Sequence, residues 1–139
     1  MSSRRPAEVL VIVRRGDEFL VLHRAPSHGA YWHCVAGGLE AGEDFPEAAA
    51  RELHEETGLV AEPVEIGGAY SYAIDEDPTY RDLLPPGTEE IVVRNFLVDA
   101  PPGWEPTLND EHDGYAWLAQ TAAAERLYWP EPAQIMRSL

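Results

Sequence analysis

Residues 37 to 59 constrain this chain more than any other stretch. They run Gly37-Gly38-Leu39-Glu40-Ala41-Gly42-Glu43-Asp44-Phe45-Pro46-Glu47-Ala48-Ala49-Ala50-Arg51-Glu52-Leu53-His54-Glu55-Glu56-Thr57-Gly58-Leu59. A glycine-rich turn at Gly37-Gly38 is expected to lead into a short helix. Asp44 suits an N-cap, and Glu47 three residues on completes a capping-box pattern. Pro46 falls in the first turn, where a missing N–H costs little. Ala48, Ala49 and Ala50 favour helix, and Gly58 stands where a left-handed C-cap would end it. Phe45, Ala49 and Leu53 recur at core-facing spacing. Glu52, Glu55 and Glu56 then share about one third of the helix circumference. Like charges at this spacing destabilise a bare helix. Their grouping points to neutralisation by a hard cation such as Mg²⁺, which prefers oxygen ligands.

Composition narrows the partners. The 139 residues suit one domain, 1–139, with 45% hydrophobic residues and four Trp to build a core. A formal charge of −15 argues against DNA or RNA as the main partner, because phosphate backbones need basic patches. Cys34 is the single cysteine, so no internal disulfide can form. That suits a reducing cytoplasm, and the residue reads as a small buried strand position. No apolar run is long enough to span a bilayer, and the N-terminus has no apolar signal segment.

The rest of the chain organises around the helix. Residues 8–13 and 19–23 read as a hairpin about Arg14-Arg15-Gly16-Asp17. Residues 32–36 read as a strand, as do 64–74, with a bulge at Gly67-Gly68. Residues 75–88 read as a loop, 91–98 as a strand, 99–110 as a Pro-rich connection and 114–118 as a short strand. Helices are expected over 119–127 and 133–139, separated by Pro130 and Pro132.

Gly37, then Glu43, then Arg51-Glu52-Leu53, Glu55-Glu56, Gly58 and Leu59 together resemble the Nudix box of the Nudix hydrolases, filling all of its defined positions. The resemblance implies an α/β/α sandwich with a mixed sheet. It implies a Mg²⁺-dependent hydrolase, with Mn²⁺ substituting, that cleaves a diphosphate linkage in a small nucleotide-type substrate. The metal site it implies draws on Gly37, Glu52, Glu55, Glu56 and a later carboxylate. Glu55 or Glu52 would serve as general base. Glu43 would pair with Arg51 to fix the loop on the helix.

Asn109-Asp110-Glu111-His112, followed by Tyr115-Ala116-Trp117-Leu118, resembles a segment of two Nudix branches: the dihydroneopterin triphosphate pyrophosphatases and the diadenosine polyphosphate hydrolases. The resemblance passes the last metal-ligand role to Glu111. Pro85-Pro86-Gly87 and Tyr31-Trp32-His33-Cys34-Val35-Ala36-Gly37 resemble the pterin branch. A nucleoside or pterin triphosphate is therefore the expected substrate, giving monophosphate and pyrophosphate. Diadenosine polyphosphates, ADP-ribose and nucleotide sugars are the alternatives, and a non-catalytic ligand-sensing role is the reading from another class. Arg24 is expected to reach substrate phosphates. Glu40 is either a site residue or a solvated one, and His54 an exposed helix residue. Tyr31, Trp32, Tyr72, Tyr80 and Trp104 include candidates to stack on a ring, with Trp32 the chosen one. The expected assembly is a monomer or homodimer.

The glutamate cluster makes one outcome plain. Hydrolysis should require Mg²⁺ or Mn²⁺ and stop on full chelation; turnover that survives chelation would contradict the reading.

Overall fold

The β-branched run Val9, Val11, Ile12 and Val13 forms the spine of the molecule, because both of its faces are buried. It lies in β1 (Arg4–Arg15). The computed structural model describes residues 4–74, 84–85 and 87–139. Its further strands are β2 (Glu18–Arg24), β3 (Trp32–His33), β4 (Val35–Glu40), β5 (Val64–Ala73), β6 (Glu90–Asp99) and β7 (His112–Ala119). The helices are α1 (Phe45–Thr57), α2 (Gln120–Arg126) and α3 (Pro130–Arg137). Among the described residues the strands run β3-β2-β1-β6-β5, with β4 also on β1 and β7 also on β2. β1 and β6 pair in parallel and the other pairs are antiparallel, so the sheet is mixed, as expected.

Alternation along β1 sends its side chains into two separate cores. Val9, Val11 and Val13 pack with Leu39, Ala48, Ala49, Leu53 and Phe96 beneath α1. Leu10 and Ile12 pack with Phe19, Val21, Cys34, Ala123, Ala124 and Met136 beneath α2 and α3. Helices therefore cover both faces, which is the expected sandwich.

α1 forms where its caps place it. The Asp44 side chain accepts from the Glu47 N–H at 2.8 Å, and the Glu47 carboxylate accepts from the Asp44 N–H at 3.0 Å. Gly58 closes the helix with φ of +83°. At the other edge, β5 and β6 shift register between Ile66 and Tyr70. A Cβ at Gly68, whose φ is +83°, would stand 2.4 Å from the Ile135 side chain. The bulge thus makes room for α3 against the sheet.

Three expectations are corrected. Gly37 and Gly38 form no turn: they lie inside β4, paired with Val9 and Glu8, and the chain turns at Ala41–Gly42 instead. Residues 32–36 are two strands rather than one, since β3 pairs with β2 and β4 with β1. Pro130 and Pro132 do not separate helices but open α3, where the first turn tolerates missing N–H groups. Tyr80 and most of the 75–88 stretch lie outside the described residues.

Two substitutions separate cap from core. Asp44→Ala should lower unfolding free energy by about 1 kcal/mol. Leu53→Ala, at a fully buried position, should lower it by about 2–5 kcal/mol. Urea denaturation without metal measures both, and equal losses would contradict this reading of α1.

Candidate active site

Strand β4 and helix α1 meet so closely that only glycine fits between them. A Cβ on Gly37 would lie 2.2 Å from the Glu52 carboxylate. The absent side chain therefore lets a buried carboxyl group rest against sheet backbone. One helical turn on, Glu56 is 1% exposed, and its Oε1 faces the Ala36 N–H at 3.5 Å. Glu52 is also buried, at 6% exposure. Glu55 projects outward, with about half of its carboxylate side chain open to solvent.

Arg51 gathers this surface. Its guanidinium donates to both oxygens of Glu43, at 2.7 and 2.9 Å, and to the Gly38 carbonyl at 2.9 Å. It also donates to Glu52 at 2.8 Å and Glu55 at 3.2 Å. Glu43 in turn accepts from the Glu40 N–H at 3.0 Å, so the loop after β4 is pinned to α1. Glu40 itself stays exposed, 3.7 Å from Arg51.

A second loop supplies the remaining groups. Asn109 donates from Nδ2 to the Glu55 carbonyl at 3.0 Å and accepts from the Glu111 N–H at 3.0 Å. The Glu111 carbonyl accepts from the Ala25 N–H at 2.8 Å. These bonds hold Glu111 and His112 over the end of α1. Glu56, Glu111 and His112 each offer one donor atom, and these atoms lie within 4.8 Å of one another. His112 Nε2 stands 3.8 Å from Glu56 Oε1.

The electrostatics are those of a site short of positive charge. Burial, and then Glu52 and Glu111, push the Glu56 carboxyl well above the usual carboxylate range. Burial also raises Glu52, against the pull of Glu56 and Arg51. Glu56 Oε2 is buried without a partner among the described residues. Burial and the nearby Arg24 charge lower His112 to about 4 and His33 to about 3, so both imidazoles are neutral near neutral pH. An orphaned buried carboxylate oxygen amid further oxygen donors fits a hard divalent cation.

Beside these glutamates, on the other side of Ala36 and Gly37, lies a cleft with about 690 Å³ of empty space, its mouth included; these glutamates themselves do not line it. Ala36 and Gly37 belong to both, touching the glutamates on one side and lining the cleft on the other. Arg24, Tyr31, His33, Tyr70, Tyr72 and Trp129 also line it. Arg24 ends β2, donates to the His28 carbonyl at 2.7 Å and lies 5.3 Å over the Tyr31 ring.

Not every expected residue arrives here. Trp32 is not among the cleft-lining residues; it packs edge-on against His23 with Arg126 over its ring. Trp104 packs on Trp117, which carries Arg15 over its ring at 4.0 Å. Cys34 is buried, and its thiol is pushed up to about 12 by burial, as befits a packing residue. His112 belongs to the segment that carries the branch resemblance, but no role of its own could be read for it from the sequence. Glu8, Tyr70, Trp129 and Glu131 were also missed, because they come from separate elements and carry no local pattern.

The NUDIX domain profile matches residues 4–139, and the chain belongs to the Nudix family. An octanoyltransferase of Myxococcus xanthus is 38% identical over 126 residues, covering 88% of this chain and 33% of that protein. An 8-oxo-(d)GTP phosphatase of Mycolicibacterium smegmatis is 33% identical over 120 residues, covering 86% of this chain and 33% of that protein. The chain thus spans about a third of the length of these relatives. The E. coli dihydroneopterin triphosphate pyrophosphohydrolase shares the fold: the TM-score is 0.83 over 100% of this chain and 97% of that one, at 24% identity.

The raised Glu56 carboxyl has a thermodynamic consequence. Its folded value exceeds the unfolded one of about 4.3, so the folded state holds the proton more tightly. This group therefore costs metal-free stability as pH rises from the unfolded value through the folded one. His33 and His112 act oppositely, costing stability as pH falls through about 6.5. The difference between wild type and Glu56→Gln removes their contribution. Glu56→Gln should raise the metal-free melting temperature at pH 7, by about 3 °C or more, with the gain shrinking toward pH 4. A lower melting temperature at pH 7 would contradict this electrostatic picture.

Proposed function

We propose that residues 1–139 form one Nudix hydrolase domain that cleaves a phosphoric anhydride in a nucleoside or pterin triphosphate, releasing monophosphate and pyrophosphate. The observation that carries this reading is the continuity of the buried Glu52–Glu56 pair with an aromatic cleft through Gly37. A triphosphate is anionic and so is the pair, so a cation is needed to join them. Glu52, Glu56 and Glu111 would hold it, with the Gly37 backbone beside them, and Mg²⁺ is the natural choice, with Mn²⁺ substituting. Such a cation supplies Lewis-acid polarisation of phosphate oxygens and neutralises developing charge.

The chain's own residues do the rest. Water attacks phosphorus in line, the P–O anhydride bond breaks, and the bridging oxygen leaves with the departing phosphate. Glu55 takes the proton from water: it is the solvent-facing member of the cluster, and Arg51 orients it. Glu52 is less suited, because it is buried and held by the same guanidinium. Arg24 faces the cleft as the cation for substrate phosphates, and it makes no ion pair with a carboxylate among the described residues. His112, neutral and buried, packs 3.8 Å from Glu56 without a hydrogen bond to it among the described residues. We place the enzyme in the cytoplasm, as a monomer or homodimer. No helix among the described residues is long and apolar enough to cross a membrane.

The test is a Mg²⁺-dependent pyrophosphohydrolase screen over pterin triphosphate, nucleoside triphosphates, diadenosine polyphosphates, ADP-ribose and nucleotide sugars. Triphosphates should be turned over best. Glu55→Gln should slow the best one by about 10²–10⁴-fold with the fold intact. Glu111→Ala should lower turnover and shrink the metal-induced rise in melting temperature, while changing metal-free stability by no more than about 0.5 kcal/mol. Variants within a few-fold of wild type would contradict the assignment.

A further inference from the structure

Beside the glutamates lies a buried group that anhydride cleavage leaves without a part. His112 opens β7, and its side chain is fully buried. Both ring nitrogens are buried, and neither has a hydrogen-bond partner among the described residues. A neutral imidazole carries one N–H donor and one lone pair, and buried polar atoms are normally satisfied. Nε2 stands 3.8 Å from Glu56 Oε1, too far for a hydrogen bond. Glu56 Oε2 is itself buried and unpartnered among the described residues.

The backbone aims the ring there. Pairing steps from His23 opposite Gly114 to Arg24 opposite His112, so β7 carries an extra residue, Asp113. Such a bulge re-aims side chains. Here Asp113 turns outward and its carboxylate meets His23 Nδ1 at 2.6 Å, while His112 stays inside. The His112 N–H donates to the Asn109 carbonyl at 3.3 Å, which ties the ring to the loop that carries Glu111.

Two ligands of one small divalent ion, each about 2.1 Å from it, stand no more than about 4.2 Å apart. The 3.8 Å between Nε2 and Oε1 falls inside that span. The donor atoms of Glu56, Glu111 and His112 lie within 4.8 Å of one another, and half-buried Glu111 can swing inward to close the set. The other histidines lie elsewhere: His23 on Asp113, His28 on Ser27, His33 on the cleft wall and His54 exposed on α1. Ligand type sets metal preference. Carboxylate oxygens suit Mg²⁺ and Mn²⁺, whereas an imidazole nitrogen favours later first-row ions such as Co²⁺, Ni²⁺ and Zn²⁺.

We propose that His112 completes the cation site with a nitrogen ligand, so that the site takes a later first-row transition-metal ion in preference to Mg²⁺. This rests on the cation site of the hydrolase reading and narrows which ion it holds. Mg²⁺ uses the oxygens alone.

Two measurements on the full chain test it. Pulsed electron paramagnetic resonance of bound Mn²⁺ reads ligand nitrogen directly. Wild type should show ¹⁴N coupling that ¹⁵N-histidine labelling shifts and His112→Leu removes, with circular dichroism reporting the fold. Calorimetric titration then compares Co²⁺ with Mg²⁺. His112→Leu should weaken Co²⁺ binding by at least about ten-fold and Mg²⁺ binding by less than about three-fold. Equal losses for the two ions would overturn the preference. If His112→Leu does not fold, the labelling of wild type decides: a shifted coupling supports the nitrogen ligand, and an unshifted one overturns it. Triphosphate turnover is followed alongside. Nitrogen coupling without turnover would leave the ligand assignment standing and remove the hydrolase reading. Turnover with saturable Mn²⁺ binding but no nitrogen coupling, or coupling that survives in folded His112→Leu, would overturn the role of His112 and leave the hydrolase reading intact. No saturable binding of either Mn²⁺ or Co²⁺ would overturn both.

Discussion

One guanidinium holds the acidic surface of this protein together. Arg51 reaches both oxygens of Glu43, one oxygen each of Glu52 and Glu55, and the Gly38 carbonyl. Those partners belong to the loop before α1, to α1 itself and to β4. Without that cation the glutamates would repel one another along the helix. The loop would also lose its anchor on the sheet. A fork of five donors suits this task, whereas a lysine would present a single point charge. The arrangement is specified more by geometry than by net stability, since part-buried charge pairs largely trade desolvation against attraction.

What depends on Arg51 is the inward face of the cluster. It fixes Glu52 against Gly37, and Glu56 follows one turn later at the Ala36 N–H. The same two β4 residues border the cleft. The glutamate cluster and the cleft are therefore joined through a few backbone atoms. The bulge at Gly68 serves the other end, since it lets Ile135 of α3 pack on the sheet and so brings Glu131 and Trp129 over the opening.

The local parts of this design were legible in the sequence. A capping box, a left-handed C-cap and a three-glutamate face are all spelled within one helix, and the structure forms the caps where the pattern put them. β1 was legible because a β-branched run buried on both faces has few alternatives. Gly37 was misread as a turn, because a close approach by a carboxylate from another element leaves no mark on neighbouring residues. Pro130 and Pro132 were misread as a break for a similar reason: proline looks the same whether it opens a helix or ends one. The cleft was hardly legible at all. Its walls come from β1 to β6 and α3, and only the fold brings Glu8 and Glu131 to one cleft.

The central claim is that the buried glutamates form a divalent-cation site. Mn²⁺ titration followed by electron paramagnetic resonance tests it without relying on turnover. Wild type should take up Mn²⁺ saturably, with Mg²⁺ competing for the same site, and Glu56→Gln should weaken that uptake by at least about ten-fold, as expected when a charged ligand is lost. Absence of saturable binding, or equal binding by wild type and Glu56→Gln, would contradict the account.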